Sequence, residues 1–195
     1  AINISGVEVR DGVLPTMLRA HARDTGLPMS AIELELTESG LMFSDAVATQ
    51  LLSDLSEEGV RVSVDDFGTG YSSLGRLQRL PVDVLKIDKA FVEDIGTGAK
   101  PGALVRAIVM MAHSLDLTVV AEGVENEVQR AFLERYGCDL YQGHLLTPPL
   151  PASEMGQYLK ARHARVPRRR RRGSLPRTTG AHRRAAASAR PSIQD

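Results

Sequence analysis

The sequence predicts an α/β fold, a (β/α) barrel on a parallel sheet, and three observations carry that expectation. Six short β-rich runs alternate with helical patterns along 195 residues, the order expected of parallel strands joined by helical crossovers. Polar side chains stand at or just beyond the C-terminal end of every run: Asn3 and Ser5, Glu35 and Glu38, Asp65 and Asp66, Lys86 and Asp88, Glu122 and Glu125, and Gln142. Functional groups around the whole sheet match the active rim of a barrel, whereas an open doubly wound sheet gathers them near one switch point. Six strands are too few to close an eight-stranded barrel, so the first two are read as absent from this chain. Ala1 is not an initiator methionine and Asn3 arrives in mid-strand; both suggest a fragment.

In chain order, strands are expected at 2–4, 32–36, 60–64, 84–87, 118–121 and 139–141. The third is the β-branched run Val60-Arg61-Val62-Ser63-Val64. The fourth, Val84-Leu85-Lys86-Ile87, places one lysine among apolar neighbours. Helical patterns fall near 12–25, 43–58, 72–79, 103–115 and 126–136, with a last helix at about 152–162. Asp11, Ser44 and Asn126 have the side chains of N-caps.

Charge divides the chain in two. Residues 160–195 hold 12 of the 24 Lys and Arg but only one of the 24 Asp and Glu, Asp195. Residues 1–159 therefore carry a net −11 and the tail +11. The tail includes Arg168 to Arg172 and lacks aromatics. It cannot bury enough surface to offset chain entropy and is expected to be disordered. Nucleic-acid or anionic-membrane contact is the functional alternative to a solvated appendage, and the appendage is favoured. No apolar run reaches membrane-spanning length, and no secretory signal opens the sequence. The single Cys138 excludes an intrachain disulfide and fits a reducing compartment as a buried, inert thiol. A cytoplasmic protein is expected, with a membrane-tethered parent left open.

The chemistry concentrates in Val64-Asp65-Asp66-Phe67-Gly68-Thr69-Gly70-Tyr71-Ser72-Ser73-Leu74. Alone, an Asp-Asp-x-Gly reads as an acidic turn with Asp66 capping the next helix. Here Glu35, Asp65, Asp66 and Glu122 supply four carboxylates and Asn3 a carbonyl oxygen, all hard donors suited to Mg2+ or Mn2+. The histidines have no zinc spacing. Two adjacent aspartates can reach two metals, the arrangement that activates water and stabilises in-line phosphoryl displacement. Lys86 can hold the nucleophilic water or offset phosphate charge. Gly68 and Gly70 permit movement of the 66–74 loop as a lid or coupling element. Glu38 either braces that loop or is an exposed first-turn charge. His144, just after Gln142-Gly143, is read as pocket lining.

These segments resemble the EAL-domain phosphodiesterases, which hydrolyse the bacterial messenger cyclic di-GMP. The resemblance rests on Asn3-Ile4-Ser5, Glu33-Leu34-Glu35-Leu36-Thr37-Glu38, the Asp65–Leu74 segment, Leu80-Pro81-Val82-Asp83-Val84-Leu85-Lys86-Ile87-Asp88, Ala121-Glu122-Gly123-Val124-Glu125 and Gln142-Gly143. It covers about residues 1–159. It implies a TIM-like barrel of the EAL type, here incomplete with six of eight strands, whose first strand in complete members runs antiparallel. It also implies two Mg2+ or Mn2+ ions, hydrolysis of cyclic di-GMP to pGpG, and a homodimer in the complete protein. By resemblance, Asn3, Glu35, Asp65, Asp66 and Glu122 are metal ligands. Lys86 positions the attacking water, Gln142, Asp88 and Glu125 contact substrate, and Glu38 braces the loop that links metal binding to dimerisation. The Glu-Ala-Leu signature, which lies upstream of Asn3 in complete members, is absent. The segment Gln142-Gly143-His144-Leu145-Leu146-Thr147-Pro148-Pro149 lacks the family's usual aromatic at His144 and basic residue near Pro148. The expectation is a catalytically incomplete fragment of a phosphodiesterase, with a non-catalytic cyclic di-GMP receptor as the alternative.

Overall fold

The computed structural model describes residues 1–42, 46–68, 74–97 and 102–165. The sheet holds six parallel strands: β1 (Ile2–Asn3), β2 (Glu33–Thr37), β3 (Arg61–Phe67), β4 (Val84–Ile87), β5 (Thr118–Ala121) and β6 (Leu140–Tyr141). Their order in space is their order in sequence. A doubly wound sheet would reverse direction at a switch point, so stepwise order is the barrel pattern. Among the described residues β1 pairs with β2 alone and β6 with β5 alone, so the barrel is not closed there.

Strand β4 is buried along its whole length, as expected of a parallel strand covered on both faces, while β2 alternates buried leucines with part-buried glutamates. Leu34, Leu36, Val62, Leu85, Ile87, Val119 and Ala121 are wholly buried. Helices α2 (Leu14–Thr25), α4 (Ala46–Glu57), α7 (Ala103–Ser114) and α8 (Glu127–Arg135) supply the outer layer. Their buried residues recur at helical spacing: Leu14, Leu18 and Ala22; Ala48, Leu52 and Leu55; Val105, Ile108, Val109 and Ala112. Short helices α1 (Gly6–Arg10), α3 (Glu38–Met42), α5 (Leu74–Leu77) and α6 (Lys89–Glu93) follow strands or loops directly, and a 3-10 turn spans Met29–Ala31.

One expected cap is corrected. Asp11 does not open α2; it closes α1, a helix unseen in the sequence pattern. Ser5 starts α1 through a reciprocal box, with Ser5 N–H donating to Glu8 Oε2 at 2.8 Å and Glu8 N–H to Ser5 Oγ at 3.3 Å. Helix α2 then begins after Val13 without a side-chain cap. Asn126 does cap α8, in a box with Gln129. Ser44, the starts of the helices expected at 43 and 72, Thr69 to Ser73 and the tail from 166 lie outside the described residues.

Residues Ala1–Pro149 form one compact unit. Helix α9 (Ala152–Arg165) belongs to a second, where the Arg162 guanidinium lies 5.7 Å from the centre of the Tyr158 ring. The compositional boundary at 159/160 falls inside this helix.

Candidate metal centre and active site

The site starts from an irregularity in β3. Val64 pairs with Leu85 and Phe67 with Ile87, so three steps on β3 face two on β4. The extra residue makes a bulge at Asp65 and Asp66. Consecutive strand residues normally point to opposite faces. Asp66 instead adopts φ 54°, in the left-handed region, which aspartate tolerates better than most residues. One carboxylate oxygen from each of Asp65, Asp66 and Glu122 consequently falls within 4.8 Å of the other two.

Lys86, on β4 beside the bulge, is buried, and its Nζ lies 3.0 Å from Glu35 Oε1, 2.9 Å from Asp65 Oδ1 and 2.7 Å from Glu122 Oε1. Burial alone would push its pKa down. The hydrogen bonds to Glu122, Asp65 and Glu35 outweigh that and hold the ammonium well above its ordinary range. Glu122 moves up, chiefly through burial, against the opposing pull of Lys86. Asp66 also moves up, through burial first and then the neighbouring charge of Asp65 and a hydrogen bond with Asp88. One ammonium thus faces several crowded carboxylates. The cluster is short of positive charge, and its donors are hard oxygens, so it fits a divalent cation of the Mg2+ or Mn2+ kind.

The remaining expected residues distribute as follows. Gln142, at the end of β6, donates from Nε2 to Glu122 Oε1 at 2.6 Å and joins the cluster. Asn3 pairs in register with Glu35 at the end of β1. Glu38 is not an exposed helix charge: it is buried, and its Oε2 accepts from Gly68 N–H at 2.9 Å. Its Oε1 is buried with no hydrogen-bond partner among the described residues. Asp88 caps α6, accepting from Ala90 N–H at 2.8 Å, while facing Asp66. Glu125 is exposed; its amide donates to Gln129 Oε1 at 2.7 Å in the cap of α8. His144 is exposed.

The family model described as the EAL domain matches residues 1–149. The chain belongs to the EAL domain family. It is 42% identical over 161 residues to the cyclic di-GMP phosphodiesterase NbdA of Pseudomonas aeruginosa, covering 83% of this chain and 21% of that protein. It is 41% identical over 160 residues to the cyclic di-GMP phosphodiesterase PdeR of Escherichia coli, covering 82% and 24%. The chain thus spans about a fifth to a quarter of the curated relatives it matches. Among solved structures, the EAL domain of Mycobacterium smegmatis DcpA aligns with a TM-score of 0.76 at 40% identity, over 85% of this chain and 74% of that one. The manganese and cyclic di-GMP complex of Klebsiella pneumoniae BlrP1 aligns with a TM-score of 0.68 at 30% identity, over 76% and 38%. The parallel six-stranded sheet is the EAL barrel with its circle open.

Two features of this EAL site were not anticipated. The bulge left no pattern in the sequence, because only the partner strand reveals the extra residue. Gly143 lies so close to β5's exit that a Cβ there would fall 2.3 Å from Val124 N and O. The Gln142-Gly143 pair signals such a close approach only once its neighbour is known.

Proposed function

We propose that this chain carries the catalytic site of a metal-dependent phosphodiesterase that hydrolyses cyclic di-GMP to pGpG. The observation that carries the proposal is the convergence of Asp65, Asp66 and Glu122 on one point beside the buried Lys86. Two relatives named as cyclic di-GMP phosphodiesterases, and a structural neighbour described with manganese and cyclic di-GMP, support it.

In this proposal Asn3, Glu35, Asp65, Asp66 and Glu122 hold two Mg2+ or Mn2+ ions. When bound, such ions neutralise charge on the phosphoryl oxygens and acidify water for in-line displacement. Lys86 orients the attacking water and offsets developing negative charge. Gln142 holds Glu122 in place and reaches toward substrate, while Asp88 and Glu125 contribute further substrate contacts from the same end of the strands. Glu38 fixes the start of the loop after β3 through Gly68. The active form is a homodimer of the complete protein, working in the cytoplasm. No helix among the described residues is long and apolar enough to cross a membrane.

The test is to extend the chain with an upstream Glu-Ala-Leu strand, incubate it with Mn2+ and cyclic di-GMP, and resolve the nucleotides. Mn2+-dependent pGpG that disappears in Asp65→Asn supports the proposal. Mn2+-dependent binding of intact nucleotide identifies a receptor instead. Absence of any metal-dependent interaction contradicts both.

A further inference from the structure

The two-aspartate bulge has a support outside the carboxylate cluster. Helix α6 leaves β4 directly and grips the end of β3 at two points. Its cap, Asp88, lies beside the Asp66 carboxylate and accepts from Ala90 N–H at 2.8 Å. One turn further, the Phe91 ring lies against the backbone of Gly68. A Cβ built on Gly68 would meet Phe91 Cε2 at 2.7 Å and Cζ at 3.1 Å. Phe91 is half-buried against the core. Gly68 has φ 102° and gives its amide to Glu38, so the ring and the carboxylate hold the same residue.

We propose that Phe91 is a positioning residue that holds the Asp65–Gly68 bulge in its metal-binding conformation. Asp66 occupies a left-handed conformation disfavoured for residues with a Cβ. Such a conformation persists only where its surroundings over-determine it. Glu38 and Phe91 fix Gly68, two residues on, and Asp88 faces the Asp66 carboxylate. With the ring removed, Gly68 gains room to shift, the bulge relaxes toward regular strand, and the two carboxylates diverge. Asp88, the cap, and Phe91, inside the five-residue helix, stand three residues apart, so both contacts come from one short element. The inference rests on the metal-site reading of Asp65 and Asp66.

The test compares Phe91→Ala and Phe91→Leu with the parent in the 195-residue chain. The first measurement is hydrogen exchange at the Gly68 amide without metal. The second is Mn2+ affinity by calorimetric titration. Phe91→Ala is expected to speed Gly68 exchange and to weaken Mn2+ binding about tenfold, the scale on which outer supports of metal ligands act. Phe91→Leu, which keeps an apolar side chain but loses the flat ring against Gly68, is expected to show a smaller change in the same direction in both, and it replaces the alanine variant if that one fails to fold. A folded Phe91→Ala protein with parental Gly68 exchange and parental Mn2+ affinity overturns the proposal. So does a Phe91→Leu protein that matches the parent when Phe91→Ala is unfolded. Should the parent bind no Mn2+, the metal-site reading fails, and Gly68 exchange alone decides whether Phe91 holds the bulge. Loss of cyclic di-GMP hydrolysis with Mn2+ binding intact contradicts the proposed function but not this inference.

Discussion

At the scale of single residues, Lys86 does two things. It is a cation that lets Glu35, Asp65 and Glu122 sit together without metal, and in the proposed mechanism it orients the attacking water. Its pKa is raised, so the stability it contributes is fully present below the ordinary lysine range and is lost only as pH rises beyond it. Lys86→Met leaves the carboxylates uncompensated and should cost about 3 kcal/mol, as expected when one partner of a buried ion pair is removed. Urea unfolding should show that loss without metal and a large recovery with saturating Mn2+. Cys138 moves in the same direction for a different reason. Burial pushes its thiol from 9.0 up to about 11, so it stays neutral at physiological pH. The unfolded chain gives up that proton first, and this contribution to stability falls as pH rises from 9.0 toward about 11. Iodoacetamide should therefore label Cys138 slowly at pH 8 in the folded chain and quickly in urea; equal rates would show an open thiol. Both residues were legible in the sequence, Lys86 from its apolar flanks and Cys138 from its solitude. Glu38 was not, because only the fold shows whether a first-turn acid faces solvent or the interior.

At the scale of elements, most strands and long helices were visible in their hydrophobic periodicity, while the short ones were not. Helix α1 escaped because five residues are too few for a pattern, although Ser5 and Glu8 carried its capping box. Helix α6 escaped for the same reason. Strand β3 continues to Phe67, three residues past its β-branched run, because the bulge keeps the chain paired with β4 through the two aspartates. The exit of β6 depends on Gly143, whose amide neighbourhood includes Leu145 N–H donating to Val124 O at 2.9 Å. Gly143→Ala should force that backbone apart and cost about 2–4 kcal/mol, in the range of the severe single substitutions. It should also pull Gln142 away from Glu122. A denaturation midpoint equal to the parent's would contradict the close packing at this turn.

At the scale of the whole molecule, the barrel was predictable from polar residues at the ends of successive strands, and spatial order equal to sequence order bears it out. The open circle has a physical consequence. Strands β1 and β6 have no outer partner among the described residues, and Ile2 and Leu140 on them are 46% and 54% exposed. Unpaired apolar edges template association. Sedimentation velocity of the 195-residue chain should show concentration-dependent association, and Leu140→Lys should reduce it; a monomer at all concentrations would contradict this. The central claim is that the β3 bulge and the end of β5 form a divalent-cation site. Titrating Mn2+ into the chain while following the free-ion paramagnetic resonance signal tests it most directly. The account predicts saturable uptake that Mg2+ competes away and that Asp65→Asn weakens by at least about tenfold, with the variant still folded. No uptake by the parent chain, or equal uptake by parent and variant, would contradict it.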